Sequence, residues 1–212
     1  MAVALVLYAI VAGLLWEVPR KSILNESIRN LYYHVPMWFG MVILLLISAI
    51  NAIKYLSKGQ MKHDVASSEY ANIGILYSVL GMVTGMVWAK YTWGAPWSND
   101  PKQLATAVSM LTYMAYLVLR GGIEDPEKKA KISAVFNVFA FCLMIPLLFV
   151  LPRMTDSLHP GNGGNPGFNS YDLDASMRVV FYPAVLGWTL LACWMATVGI
   201  RIRLINIKRS DI

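Results

Sequence analysis

Apolar residues in this chain gather into six runs, at residues 3–16, 35–56, 71–88, 104–119, 133–151 and 179–200. Most of them, with their flanking aromatics, reach the ~20 residues that a helix needs to cross a bilayer core. The first run is the shortest. It lacks the positive flank that precedes the apolar core of a signal peptide, so it reads as a span. The pattern predicts an all-α protein, a polytopic bundle of six transmembrane helices. No internal period of 20–50 residues and no soluble second unit stand out, so residues 1–212 read as a single membrane domain.

Punctuation between the runs fits helices entering and leaving a membrane. Pro36 and Pro101 fall where a first helical turn would begin, a position that tolerates the missing N–H. Asp100, just before Pro101, is placed to cap the exposed amides of that helix. Pro146 and Pro183 lie within runs and predict kinks whose freed carbonyls neighbouring helices must satisfy. The Lys and Arg residues are unevenly shared between alternate loops. One side holds eleven: Lys54, Lys58, Lys62, Arg120, Lys128, Lys129, Lys131, Arg201, Arg203, Lys208 and Arg209. The other holds seven: Arg20, Lys21, Arg29, Lys90, Lys102, Arg153 and Arg178. The positive-inside bias places both termini in the cytoplasm. Residues 17–34, 91–103 and 152–178 then face outward.

Composition agrees with lipid as the solvent. Hydrophobic residues make up 57% and charged residues 14% of the chain, where a soluble domain carries about a quarter charged. A net charge of +6 on a soluble protein would raise nucleic acid as a partner. Here the basic residues sit between apolar runs and serve orientation. The two cysteines, Cys142 and Cys193, lie inside apolar runs. Neither belongs to a C-x-x-C or a C-x-x-C-H, which argues against a thiol relay and against covalently attached haem.

Candidate chemistry is confined to the outward segments. His34 ends the first, in Leu31-Tyr32-Tyr33-His34-Val35-Pro36, immediately before a predicted helix. The second reads Tyr91-Thr92-Trp93-Gly94-Ala95-Pro96-Trp97-Ser98-Asn99-Asp100-Pro101, with Trp88 just ahead of it. Interfacial tryptophans are ordinary belt residues, but a Gly-Ala-Pro turn between Trp93 and Trp97 can present two indole faces as a platform. A flat apolar macrocycle suits stacking on such faces. The third segment is the longest and carries His159, followed by a Gly-, Asn- and Pro-rich run at 161–167 and by Phe168-Asn169-Ser170-Tyr171.

Two outward imidazoles match the two axial positions of haem iron. A catalytic zinc site would need three protein ligands, and no third His or Cys faces outward. Haem propionates would need cationic partners, for which Arg29, Lys90, Lys102, Arg153 and Arg178 are in range by sequence. Lys102 follows the tryptophan loop and Arg153 precedes His159 by six residues. The third histidine, His63, is on the cytoplasmic side and is assigned no role.

These three segments, in this order, resemble the haem-handling proteins of cytochrome c biogenesis, and specifically the CcmC family. That family has six spans, an outward His before the second, a tryptophan-rich (WWD) loop between the third and fourth, and an outward His before the sixth. The resemblance therefore covers nearly the whole chain. Against the family pattern W-G-x-x-W-x-W-D the chain supplies Trp93, Gly94, Trp97 and Asp100, with Asn99 where the last tryptophan stands. Asp100-Pro101-Lys102 also resembles the loop of CcsA-type synthases, which are longer and carry further spans and histidines.

The resemblance implies a non-enzymatic protein of the bacterial inner membrane. It would hold haem b non-covalently at the periplasmic face and present it to the membrane-anchored chaperone CcmE. The ATP-binding-cassette subunits CcmA and CcmB and the small helper CcmD would be its partners. No G-x-x-x-x-G-K-[ST] occurs here, so ATP hydrolysis would fall to a partner. The implied site comprises His34 and His159 as axial ligands, Trp93, Gly94 and Trp97 as platform, Asp100 as the residue shaping the loop, and Arg153 and Lys102 near the propionates. Two other classes compete with this reading. A membrane redox protein with bis-histidine haem would bury its histidines in mid-span, and a permease subunit would carry ionisable groups near the midplane.

Overall fold

The computed structural model describes residues 1–159 and 173–210, so the run at 161–167 and Phe168 to Tyr171 lie outside the described residues. All regular structure among the described residues is helical. Helix α1 spans Ala2–Leu15. A 3-10 segment, Asn25–Asn30, runs directly into α2, Leu31–Lys58. Helices α3 (Met61–Trp93) and α4 (Pro101–Gly121) follow. Helix α5, Pro126–Ile145, continues through a wide turn at Pro146–Val150 into a 3-10 turn at Leu151–Arg153. Helix α6 runs from Ala175 to Ser210.

Five of these helices, rather than the six expected, are long and apolar enough to cross a membrane. The exception is α1, whose 14 residues rise only about 21 Å against a hydrocarbon core of about 30 Å. Its chain turns extended at Trp16, before the polar stretch that begins at Glu17. α1 is nevertheless fitted to α6: a Cβ at Gly187 would lie 2.9 Å from Leu5 Cβ and 3.0 Å from the Val6 nitrogen.

Several helices outrun their apolar cores, which corrects three sequence expectations. His34 lies inside α2 rather than ahead of it, and Pro36 is within the helix rather than at its first turn. Trp93 ends α3 instead of opening a loop. α3 also begins ten residues before its apolar run, because its polar early residues find partners: Asp64 with Arg120 and Glu69 with Arg203. Pro101 does sit at the first turn of α4, with Asp100 accepting from the Lys102 and Gln103 amides.

Helices α2 and α3 form an antiparallel pair across a tight turn in which Gly59 adopts the left-handed conformation at φ 66°. Their contact surface follows from one row of small residues on α3: Ser67, Ala71, Gly74, Ser78, Gly81 and Gly85, at alternating spacings of four and three. Such a row faces one direction on a helix and admits a close neighbour. Added Cβ atoms show how close. At Gly74 one would meet Leu45 at 2.7 Å, at Gly81 Trp38 at 2.9 Å and at Gly85 His34 at 2.6 Å.

Polar groups fasten the bundle where water is absent. Asn137 of α5, fully buried, donates to Ser48 Oγ of α2 at 2.7 Å and to Ser67 Oγ of α3 at 2.8 Å. Tyr113 of α4 reaches its carbonyl oxygen at 3.4 Å. One turn away on α3, Arg120 of α4 grips Asp64 through two bonds of 2.8 and 2.6 Å, both side chains nearly buried. The Glu69–Arg203 pair is wetter, with Arg203 46% exposed. Removing one partner of a buried pair strands the other charge, so Asp64→Ala should destabilise the protein by about 3–5 kcal/mol. Glu69→Ala should cost no more than ~1 kcal/mol. Denaturant titration of the detergent-purified variants checks this, and equal losses would contradict it.

Candidate functional site

At the end of the bundle where α2 and α4 begin and α3 and α5 end, a cavity of about 590 Å³ opens between the helices. That is within the ordinary range for a small-molecule or cofactor site. Its walls come from four directions: His34 and Trp38 on α2; Gly81, Gly85, Trp88 and Trp93 on α3; Lys102, Gln103 and Thr106 on α4; and Leu148, Phe149 and Pro152 beyond α5. Leu158 and His159 close it from the segment after Arg153. Two histidines 125 positions apart thus reach one space.

His34 is seated by the small-residue row of α3. Its ring occupies the room left by Gly85, and its Nδ1 lies 3.0 Å from the Gly81 carbonyl oxygen and 3.2 Å from Thr84 Oγ1. A carbonyl only accepts, so Nδ1 carries the hydrogen. Nε2 then holds the lone pair, and Trp38 Nε1–H donates to it at 3.2 Å. Both assignments agree on a neutral ring with its basic nitrogen on the Nε2 side. Trp88 packs edge-on against the same ring at 5.9 Å while its own N–H is held by Ser27 Oγ at 3.2 Å.

His159 is oriented by Asp100. The carboxylate, with its side chain 1% exposed, accepts from His159 Nδ1 at 3.0 Å, from the Leu158 amide at 2.7 Å and from Ser157 Oγ at 2.9 Å. It also accepts from the Lys102 amide at 2.9 Å, which caps α4. One side chain therefore both starts a helix and latches the His159 segment onto it. Again Nδ1 is the donor and Nε2 keeps the lone pair, the arrangement a carboxylate imposes on metal-ligating imidazoles. Trp93 stands edge-on to this ring, centroids 4.8 Å apart at 71°.

The other sequence candidates divide. Lys102 and Trp93 line the cavity; Trp97, 38% exposed, and Arg153 are not among its lining residues. Gly94 ends α3 in the left-handed conformation, φ 84°, and its carbonyl takes the Lys90 ammonium at 2.9 Å. Arg29 holds the carbonyls that end α1, Gly13 at 3.0 Å and Trp16 at 2.5 Å. Arg153 donates to the Phe149 carbonyl at 2.8 Å and Arg178 to that of Leu173 at 3.2 Å. Sequence reasoning passed over Trp38, Gly81, Gly85 and Gln103. Trp38 follows His34 by one helical turn, and Gly81 and Gly85 share that four-residue spacing, so a helical reading of both segments would have paired them.

Electrostatics at the latch favour a neutral imidazole beside a charged carboxylate. Burial pushes the His159 ring below its ordinary 6.5, Asp100 opposes this, and Lys102 adds to it. Burial would raise the Asp100 carboxyl, but donation from Leu158, Ser157, His159 and Lys102 outweighs it and holds the group below 3.8. The folded protein thus binds fewer protons than the unfolded chain at both groups. The stabilisation from His159 is complete above pH 6.5 and declines as pH falls below that value; the part from Asp100 is lost below 3.8. Since an imidazolium quenches an adjacent indole, Trp93 fluorescence should fall on acidification with a midpoint below 6.5. The transition should vanish in His159→Ala; a midpoint at or above 6.5 in the parent protein would contradict the assignment.

Comparison with known proteins gives the chain a family. A family model, CcmC, described as heme exporter protein C, matches residues 1–211. Proteins named heme exporter protein C from Haemophilus influenzae and Escherichia coli K12 are 24% and 23% identical to the chain over 200 and 181 residues. These matches cover 92% and 84% of this chain and 79% and 70% of the relatives. The protein of the same name from Paracoccus denitrificans is 22% identical over 71% of this chain, and the match spans only 64% of that relative's length. With the family model matching residues 1–211 of its 212, the chain belongs to the heme exporter protein C (CcmC) family.

Proposed function

We propose that this protein holds haem in the cavity between α2, α3 and α4 and hands it on during cytochrome c biogenesis. One observation carries the reading. Two imidazoles from distant parts of the chain line one cavity, each donating through Nδ1 and so keeping its lone pair on Nε2. That donor set is what axial ligation of haem iron requires. The mostly apolar walls, with the indoles of Trp88 and Trp93 beside the histidines, suit a macrocycle. Names of the relatives point the same way.

In this reading His34 and His159 are the iron ligands, Trp93 and Trp88 flank the ring, and Lys102 serves a propionate at the mouth. Gly94 and Asp100 shape the wall, with Trp97 and Arg153 completing the rim outside the cavity. Asp100 holds His159 in the ligating tautomer. Haem is cargo here, bound non-covalently as haem b, because no C-x-x-C-H is available to attach it. The whole chain acts as one membrane domain, with its C-terminus cytoplasmic and the cavity at the periplasmic side of the inner membrane. The acceptor is the haem chaperone CcmE, and CcmA, CcmB and CcmD are the neighbouring subunits. The permease alternative gains nothing from the two charge pairs, which lie at the end of the bundle opposite the cavity and are already neutralised.

Absorption spectra of detergent-purified protein titrated with haem test the ligand assignment. The parent should give a low-spin bis-imidazole Soret band, lost in the His34→Ala/His159→Ala double variant; its persistence there would sink the reading. Haem-loaded parent should pass its cargo to purified CcmE, and failure to do so would remove the acceptor from the proposal.

Two variants probe the supports. Gly85→Ala places a methyl group 2.6 Å from His34 Cε1 and should convert the spectrum toward single-histidine ligation. Asp100→Asn removes the group that orients His159, and haem affinity should drop by about 10–100-fold, the usual effect of losing an outer-shell partner. Wild-type titrations from both variants would mean that neither histidine is a ligand.

A further inference from the structure

We propose that Trp38 competes with iron for His34, making His34 the ligand that is bound last and surrendered first. The inference rests on the haem reading above and adds to it a residue with a distinct task. A neutral imidazole has one ring lone pair. With Nδ1–H directed at the Gly81 carbonyl, that lone pair is on Nε2, and Trp38 Nε1–H already donates to it at 3.2 Å. An indole nitrogen can only donate, so the polarity of this bond is unambiguous. A hydrogen bond to Nε2 and a coordination bond from Nε2 exclude one another. Ligation by His34 therefore exchanges one for the other: the lone pair passes from the N–H to the metal, the hydrogen stays on Trp38, and no electron changes hands.

The contact is built into the helix pair. Trp38 and His34 are one turn apart on α2, with rings edge to face at 5.8 Å and 85°. Each is pressed onto a glycine of α3: a Cβ at Gly81 would touch Trp38 at 2.9 Å, and one at Gly85 would touch His34 at 2.6 Å. Trp38 also borders the cavity, which gives the indole space to swing without moving α3. The second histidine is treated differently. Trp93 meets His159 through a ring edge, and among the described residues the donor–acceptor contacts of that ring, with Asp100 and Ser157, are both at Nδ1. One ligand is therefore held ready by a carboxylate, while the other has its lone pair occupied by a neighbour that can take it back.

A cargo protein gains from this inequality. Permanent ligation at both faces would oppose transfer, whereas a resident donor beside one ligand lowers the cost of breaking that bond.

The test uses the full-length protein in detergent, titrated with haem and then mixed with excess apomyoglobin as scavenger. Trp38→Phe keeps an aromatic ring on Gly81 and removes the N–H. It should bind haem about two- to tenfold more tightly, the equivalent of one net hydrogen bond, and release it correspondingly more slowly. The low-spin spectrum should be unchanged. A tryptophan that merely packs would give the opposite sign, since losing indole contacts weakens the site. Unchanged or weaker binding by Trp38→Phe, or a spectrum like that of His34→Ala, overturns the proposal. Should Trp38→Phe fail to fold, benzothienylalanine at position 38, which keeps the bicyclic shape without the N–H, is judged by the same criteria. His34→Ala separates the two levels. Wild-type binding and spectrum in that variant would mean that the ligand reading itself has failed, and the Trp38 role with it. A clear dependence on His34 with no effect at Trp38 removes only the competition.

Discussion

Close approach of α2 to α3 is the constraint on which the cavity depends. Lipid tails are as apolar as leucine, so helices in a bilayer associate through packing and polar contacts rather than by hydrophobic exclusion. The row of small residues on α3 provides that packing, and large side chains of α2, Leu45, Trp38 and His34, lie directly on it. Toward the cavity the same row does something further. Gly81 and Gly85 offer a bare backbone surface on which an imidazole and an indole can rest, and the Gly81 carbonyl becomes the acceptor that sets the tautomer of His34. A structural device for joining two helices thus also fixes the tautomer of an imidazole.

The opposite wall depends on a different economy of groups. Asp100 accepts from the first turn of α4 and from three groups of the segment that carries His159. Helix initiation, loop placement and imidazole orientation converge on one carboxylate, so they stand or fall together. Asp100 thus shapes the site although it is not itself among the residues that line the cavity. The two histidines are consequently supported by unlike means: one by packing against backbone and one by charge-assisted hydrogen bonding.

Polarity is arranged along the bundle in the same spirit. The buried Asp64–Arg120 pair and the Asn137 cluster tie α2, α3, α4 and α5 together away from the cavity. Arg29 and Lys90, which sequence position made candidates for propionate binding, instead close the carbonyl ends of α1 and α3. Both are used as helix caps, the task that cations near a helix C-terminus most readily perform.

The membrane character, the helical class and most spans were legible from the chain because they depend on run length and composition, which are local. His34, Trp93 and His159, which the structure brings to one cavity, could be picked out because rare residue types at the ends of apolar runs are conspicuous without coordinates. Other features could not. The shortness of α1 as a span became plain only when the helix was seen to end at Leu15. That Trp88 and Trp38 line the cavity while Trp97 does not is a matter of helix rotation, and α3 had to be known to run through Trp93 before it could be read. The sequence by itself determined what must be withdrawn from water and which side chains could ligate a metal. Only the tertiary structure decided where each lone pair points, because that is set by hydrogen bonds from residues of another helix or the far end of the chain: Gly81 for His34 and Asp100 for His159.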